Sequence, residues 1–160
     1  MNTKRLLLLA TTLAVAGCAY LPAWMPGASS RIACRGACNV EVTVTATSTG
    51  CTVSSISADI VRVGPQAQPT IIKWQMSQGT DRQFNFRQAN AIAFDKGAAP
   101  PSGVMQNGAG AGRAVTVNDN HTGKSTEGSW DYTIYVTGNG NVNCKYDPTI
   151  INDDGSGSNY

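Results

Sequence analysis

The sequence predicts an all-β domain, an antiparallel β-sandwich of about seven to nine strands, held by two disulfides. Three observations lead there. In residues 129–137, Trp130, Tyr132, Ile134 and Val136 alternate with Asp131, Thr133, Tyr135 and Thr137, so one face of an extended segment is apolar and the other polar. Val40, Val42, Val44 and Ala46 alternate in the same way with Glu41, Thr43, Thr45 and Thr47. Turn-forming Gly, Pro, Asn and Ser interrupt the chain at short intervals, and no stretch of the mature chain has a comparable helical period.

In chain order, the first element is a leader. Met1-Asn2-Thr3-Lys4-Arg5 precedes an uncharged apolar run over residues 6–16, the shape of a secretory signal. The run is shorter than the ~20 apolar residues that a membrane span needs. It ends in Val15-Ala16-Gly17-Cys18, which resembles the lipobox of bacterial lipoproteins. The resemblance implies cleavage before Cys18, with lipid on its sulfur and on the new amino terminus. Ala19, where Asp would signal inner-membrane retention, implies the outer membrane. An ordinary signal peptide cut near Ala19 is the competing reading.

Residues 20–31 hold Pro22, Pro26, Gly27, Ser29 and Ser30 and read as a tether, with Trp24 suited to a membrane interface. The expected organisation is therefore a leader over 1–17, a lipidated tether over 18–33, a sandwich over 34–151 and a flexible tail over 152–160.

Within the domain, the Val40–Val44 strand is followed by the turn Ser48-Thr49-Gly50. Cys51, Val53 and Ile56 open a return run, which Ile60, Val61 and Val63 continue past a bulge. Ile71, Ile72, Trp74 and Met76 make a core strand with a second buried tryptophan. Phe84 and Phe86 flank Asn85 in a short strand, and residues 91–94 form another. Residues 97–112, rich in Gly, Ala, Pro and Ser, read as a long mobile loop. Ala114, Val115 and Val117 give a strand ending in a polar turn over 118–128. After the 129–137 strand, Gly138-Asn139-Gly140-Asn141 turns the chain back into residues 142–146, and a last short strand lies within 147–152.

The final segment resembles the C-terminal hairpin of small secreted bacterial proteins with a cupredoxin-like or immunoglobulin-like sandwich. Tyr132, Ile134, Val136, Asp147, Pro148 and Ile150 carry the match. The copper chemistry of cupredoxins does not transfer, because a blue-copper site wants two imidazoles and a thiolate and His121 is the sole histidine.

Five cysteines are an odd number for an exported chain. With Cys18 taken by lipid, Cys34, Cys38, Cys51 and Cys144 suggest two disulfides. Cys51–Cys144 with Cys34–Cys38 is preferred; Cys38–Cys51 with Cys34–Cys144 stays open. The Cys34-x-x-x-Cys38 spacing does not match a zinc site.

Charge excludes a general polyanion binder. Of twelve Lys and Arg, Lys4 and Arg5 leave with the leader, so ten remain against ten Asp and Glu. No nucleic-acid partner and no cofactor are expected.

The chemistry-bearing residues are sparse. His121, in Asn118-Asp119-Asn120-His121-Thr122, reads as a solvated turn residue. A hydrolase centred on it would draw on Ser125 or Ser129 as nucleophile and Asp119 or Glu127 as orienter. No Gly-x-Ser-x-Gly elbow is present. The glycines of 108–112 match neither phosphate-binding fingerprint. Asn152, Asp153 and Asp154 lack the loop of an EF-hand. Tyr135 and Tyr146 are candidate contacts for a glycan or an envelope protein. The function expected is a non-enzymatic, lipid-anchored binding or structural module. A hydrolase or a periplasmic enzyme inhibitor is the alternative.

Overall fold

A computed structural model describes residues 29–107 and 112–156. The leader, Cys18, Trp24, the glycines at 108 and 110, and residues 157–160 lie outside the described residues. The strands are β1 (Arg31–Cys34), β2 (Ala37–Thr47), β3 (Gly50–Ile56), β4 (Ile60–Val63), β5 (Thr70–Met76), β6 (Asn85–Phe86), β7 (Ile92–Lys96), β8 (Met105–Asn107), β9 (Ala114–Asp119), β10 (Gly128–Thr137), β11 (Asn143–Tyr146) and β12 (Thr149–Asn152). Short 3-10 turns at Lys124–Thr126 and Asn139–Asn141 are the only helical elements among the described residues. None is long and apolar enough to cross a membrane.

The strands form two sheets, one of seven strands and one of five. The larger is built on β10, the strand with the clearest alternation in the sequence. Along one side, β12 pairs with Gly128–Asp131 and β11 with Ile134–Thr137. Between them, the Tyr132 amide donates to the Pro148 carbonyl at 3.0 Å. Residues 143–152 thus behave as one long strand interrupted at Asp147-Pro148, where proline has no N–H to give. Along its other side β10 pairs with β7 and β6. The smaller sheet has the order β3-β2-β5-β9-β8.

The count of twelve exceeds the expected seven to nine because β6 and β8 are very short and the last strand is split. The sheets are also mixed rather than purely antiparallel: β1 with β4, β4 with β12, and β2 with β5 run parallel. Parallel neighbours need a crossover. Here the opposite sheet supplies it, since the chain passes from β2–β3 in the small sheet to β4 in the large one and back to β5. Alternation reports which face of a strand is dry but not its direction.

The core lies between the sheets. Val40, Val42 and Val44 of β2, Ile72, Trp74 and Met76 of β5, and Val115 and Val117 of β9 meet Val61 and Val63 of β4, Tyr132, Ile134 and Val136 of β10, and Ile150 of β12; all are buried. Trp74 and Tyr132 meet edge to face with ring centroids 5.3 Å apart, and the indole Nε1–H donates to the phenol oxygen at 3.0 Å. Trp130 is buried as expected, but it folds back over its own strand. A Cβ on Gly128 would lie 2.5 Å from the indole, and one on Gly138 would lie 2.7 Å from the Phe84 ring. A glycine on which an aromatic ring rests therefore opens β10, and another directly follows it.

Both preferred disulfides are present, Cys34–Cys38 and Cys51–Cys144. The second ties β3, at the edge of the small sheet, to β11 of the large one, across a sequence separation of 93. Closing a loop of that size is worth ~4–5 kcal/mol in the chain-entropy account.

Three boundaries shift. The folded part begins at β1, so Arg31–Ala33 belong to the sheet rather than to a tether. The long loop is partly ordered: Val104 is buried and Met105–Asn107 pair with β9. At the other end, Asn152 is buried in β12 and Asp153 forms an ion pair with Arg62, so the expected tail starts too early.

Candidate functional site

His121 is not the solvated turn residue that its neighbours suggest. It is 1% exposed. Its Nε2 lies 2.7 Å from the Asp153 carbonyl oxygen, which can only accept, so Nε2 carries the proton. Its Nδ1 lies 2.8 Å from Thr126 Oγ1. That hydroxyl also receives the Thr122 amide at 3.0 Å. Both ring nitrogens are thus occupied by partners that hold the 121–126 turn to the C-terminal segment. Ser125 and Ser129 are exposed and neither bonds to the imidazole, so no nucleophile–base pair forms.

Beside it lies a buried polar layer that sequence reasoning missed. Thr70 opens β5, Asp119 and Asn152 close β9 and β12, and all are at most 2% exposed. Each continues the inward phase of its strand: Thr70 with Ile72 and Trp74, Asp119 with Val115 and Val117, Asn152 with Ile150. The signal was present, and polarity masked it. Asn152 Nδ2 donates to Asp119 Oδ1 at 2.9 Å, while Asp119 Oδ2, Asn152 Oδ1 and Thr70 Oγ1 have no partner among the described residues. Burial pushes the Asp119 carboxyl up to about 6, against smaller opposing contributions from the Asn152 bond and the His121 ring.

Tyr146 is likewise committed. Its hydroxyl donates to Asp59, which raises the phenol to about 12. The other oxygen of that carboxylate takes the Ser30 amide at 3.2 Å, so Asp59 joins the start of the fold to β11. Tyr135 is half-buried on the outer face of the large sheet. Its hydroxyl donates to Asp95 Oδ2 at 2.6 Å, and Thr133 donates to Oδ1 at 2.6 Å. These two bonds, the Thr133 one first, hold the Asp95 carboxyl below its usual range. The Arg87 guanidinium sits 3.8 Å from the Tyr135 ring centroid. One face of that ring is therefore covered by a cation, which reduces it as a stacking platform for a sugar.

Cys34, Cys38, Cys51 and Cys144 are consumed by the two disulfides. Among the described residues, no three His, Cys, Asp or Glu side chains converge on a metal position.

One concavity was not anticipated. Gln78, Thr80, Arg82 and Arg113 line a cleft of about 670 Å³ where the β5–β6 connection meets the start of β9. Arg113 braces this connection. Its Nη2 donates to the carbonyls of Ser77 at 2.9 Å and Thr80 at 3.3 Å, and its Nη1 to those of Asp81 at 3.3 Å and Phe84 at 3.4 Å. Thr80 anchors the same loop to β2, accepting the Val44 amide at 3.0 Å and donating to the Val42 carbonyl at 3.2 Å. Arg113 follows the Gly-rich stretch, and nothing in its local sequence distinguishes it from a surface arginine.

Comparison with protein-family models, with curated proteins and with solved structures gives no match to this chain.

Proposed function

We propose that the protein is a lipid-anchored lipoprotein of the bacterial outer membrane, a non-enzymatic β-sandwich that presents a rigid binding or structural surface in the envelope. One observation carries this reading: the fold pairs four of the five cysteines with one another, and the one left over is Cys18 of the lipobox-like Val15-Ala16-Gly17-Cys18. An odd thiol at that motif has an obvious use as the acylation site. Attachment through more than one acyl chain would be lasting, since each buried methylene is worth ~0.8 kcal/mol. The sandwich then needs no lipid affinity of its own.

The occupied nitrogens of His121 favour a binding role over a hydrolase. A base must reach the proton it removes, and this ring is buried and bonded on both sides. The partner class that suits the surface is an envelope protein or a glycan. Mass spectrometry of the mature amino terminus tests the anchor: a diacylglyceryl thioether on Cys18 with an acylated α-amine is expected. A mature chain beginning at Ala19 or beyond would overturn it. Crosslinking of the anchored protein in intact envelopes should capture a discrete partner, and Cys18→Ser should release the chain from the membrane fraction.

A further inference from the structure

The cleft at Arg82 and Arg113 has chemistry that the fold alone does not use. Arg113 is accounted for structurally: the four bonds from its terminal nitrogens go to main-chain carbonyls. Those carbonyls are dipoles, not counter-ions, so the guanidinium keeps its full charge. Arg82 lines the same cleft, is exposed, and makes no hydrogen bond or ion pair among the described residues. Two like charges thus share a concavity whose other lining side chains, Gln78 and Thr80, are neutral. The nearest acidic residue in sequence, Asp81, does not line it, and its carboxylate is turned to the Gln83 amide at 3.1 Å and the Gln83 side chain at 3.0 Å.

The arrangement is half built. The floor is rigid because Arg113 and Thr80 clamp the loop to β2 and to the start of β9, whereas the Arg82 arm is free to close. An anion with two or more oxygens suits such a pair: the uncommitted Arg82 guanidinium can take a carboxylate, sulfate or phosphate through paired N–H···O bonds, while Arg113, whose terminal N–H groups are committed to carbonyls, contributes its charge. The volume lies within the range of small-ligand sites. The neutral balance of the whole chain makes a local site of this kind more informative than it would be on a basic protein.

We infer that this cleft binds an oxyanion, a small ligand presenting a carboxylate, sulfate or phosphate group between Arg82 and Arg113. The inference does not depend on the membrane anchor and stands or falls separately from it.

The test is a set of titrations of the full-length protein in neutral detergent with sulfate, phosphate and citrate, each against chloride at matched ionic strength. Backbone amide signals of residues 77–84 and the arginine Nε–H signals are followed by NMR. At least one oxyanion should bind saturably and about tenfold or more tightly than chloride, a margin of about 1.4 kcal/mol. The anion that binds best identifies the group. Arg82→Gln should abolish that margin without moving the melting temperature, because the side chain has no internal partner. Arg82→Lys should restore part of it, and Gln78→Ala, at another exposed lining position, should weaken it less. If all three oxyanions bind no better than chloride, or bind Arg82→Gln as well as the parent protein, the inference is wrong.

Discussion

Compare two polar side-chain contacts that cross from one sheet to the other: they are near mirror images in length but not in consequence. Trp74 of β5 donates to Tyr132 of β10 at 3.0 Å, and Asn152 of β12 donates to Asp119 of β9 at 2.9 Å. In the first, both groups are neutral, the rings bury large apolar surfaces, and each side chain's polar atom has its partner. In the second, one bond leaves Asp119 Oδ2 and Asn152 Oδ1 buried and without a protein partner among the described residues, with Thr70 Oγ1 a third such atom in the same layer. A hydrogen bond is therefore a poor measure of what a buried polar pair contributes. What surrounds the atoms that are not in the bond decides the sign.

The largest effect expected from probing this contrast is at the aromatic pair. Trp74→Ala should cost ~3–5 kcal/mol, through a cavity at a residue that is fully buried between the sheets. Urea unfolding measures it, and a loss below about 1 kcal/mol would mean that the sheets are not held together there. Tyr132→Phe keeps the ring and strands the indole N–H, so ~1–3 kcal/mol should go. A neutral result would place a water or another acceptor at Nε1.

At the opposite contact the sign reverses. Asp119→Asn should stabilise the protein at pH 8 by ~1–2 kcal/mol, because a buried charge is replaced by a neutral isostere. The folded protein holds the Asp119 proton up to about 6, whereas the unfolded chain releases it near 3.8. Stability from this group is thus fully present on the acid side and is lost as pH rises from about 4 to about 6. The His121 ring and Asn152, which face the carboxyl, remain in the variant, so what differs between the two proteins is the carboxyl and its contacts with them. Melting curves across that pH window should slope downward in the parent and flatten in Asp119→Asn. Equal slopes would mean that the carboxyl is hydrated or paired after all.

The same contrast explains what could be read from the sequence. Alternation identified β2, β5, β9 and β10 and their inward residues, because apolar burial repeats locally every second residue. It also carried Thr70, Asp119 and Asn152 inward, but a polar side chain in phase reads as the end of a strand rather than as its continuation. His121 was illegible for a different reason: what buries it is the carbonyl of Asp153, 32 residues away, and no local pattern encodes that contact. Strand direction was hidden too, since a parallel neighbour such as β4 beside β12 is fixed by crossovers between the sheets. Of the surface candidates, Tyr135 and Tyr146 were found as residues, but their partners Arg87, Asp95 and Asp59 come from distant segments. The Arg82–Arg113 cleft forms only when the β5–β6 connection folds onto the start of β9, so sequence spacing never placed those two side chains together.

The small ring closed by Cys34 and Cys38 has a mechanical meaning. β1 lies at the rim of the large sheet, paired among the described residues only with β4, and just behind the Ser30–Asp59 bonds it meets any pull transmitted from upstream. Without the crosslink, such a load would unzip β1 and then tug directly at the connection into β2. With it, peeling stops at Cys34 and the force passes through the sulfur bridge into Cys38 of β2, in the half of that strand that is paired with β5 along Ala37–Val42. Shear along the β2–β5 ladder loads its bonds together, whereas peeling opens them one at a time, so the ring acts as a strain relief between whatever lies ahead of Arg31 and the body of the sandwich.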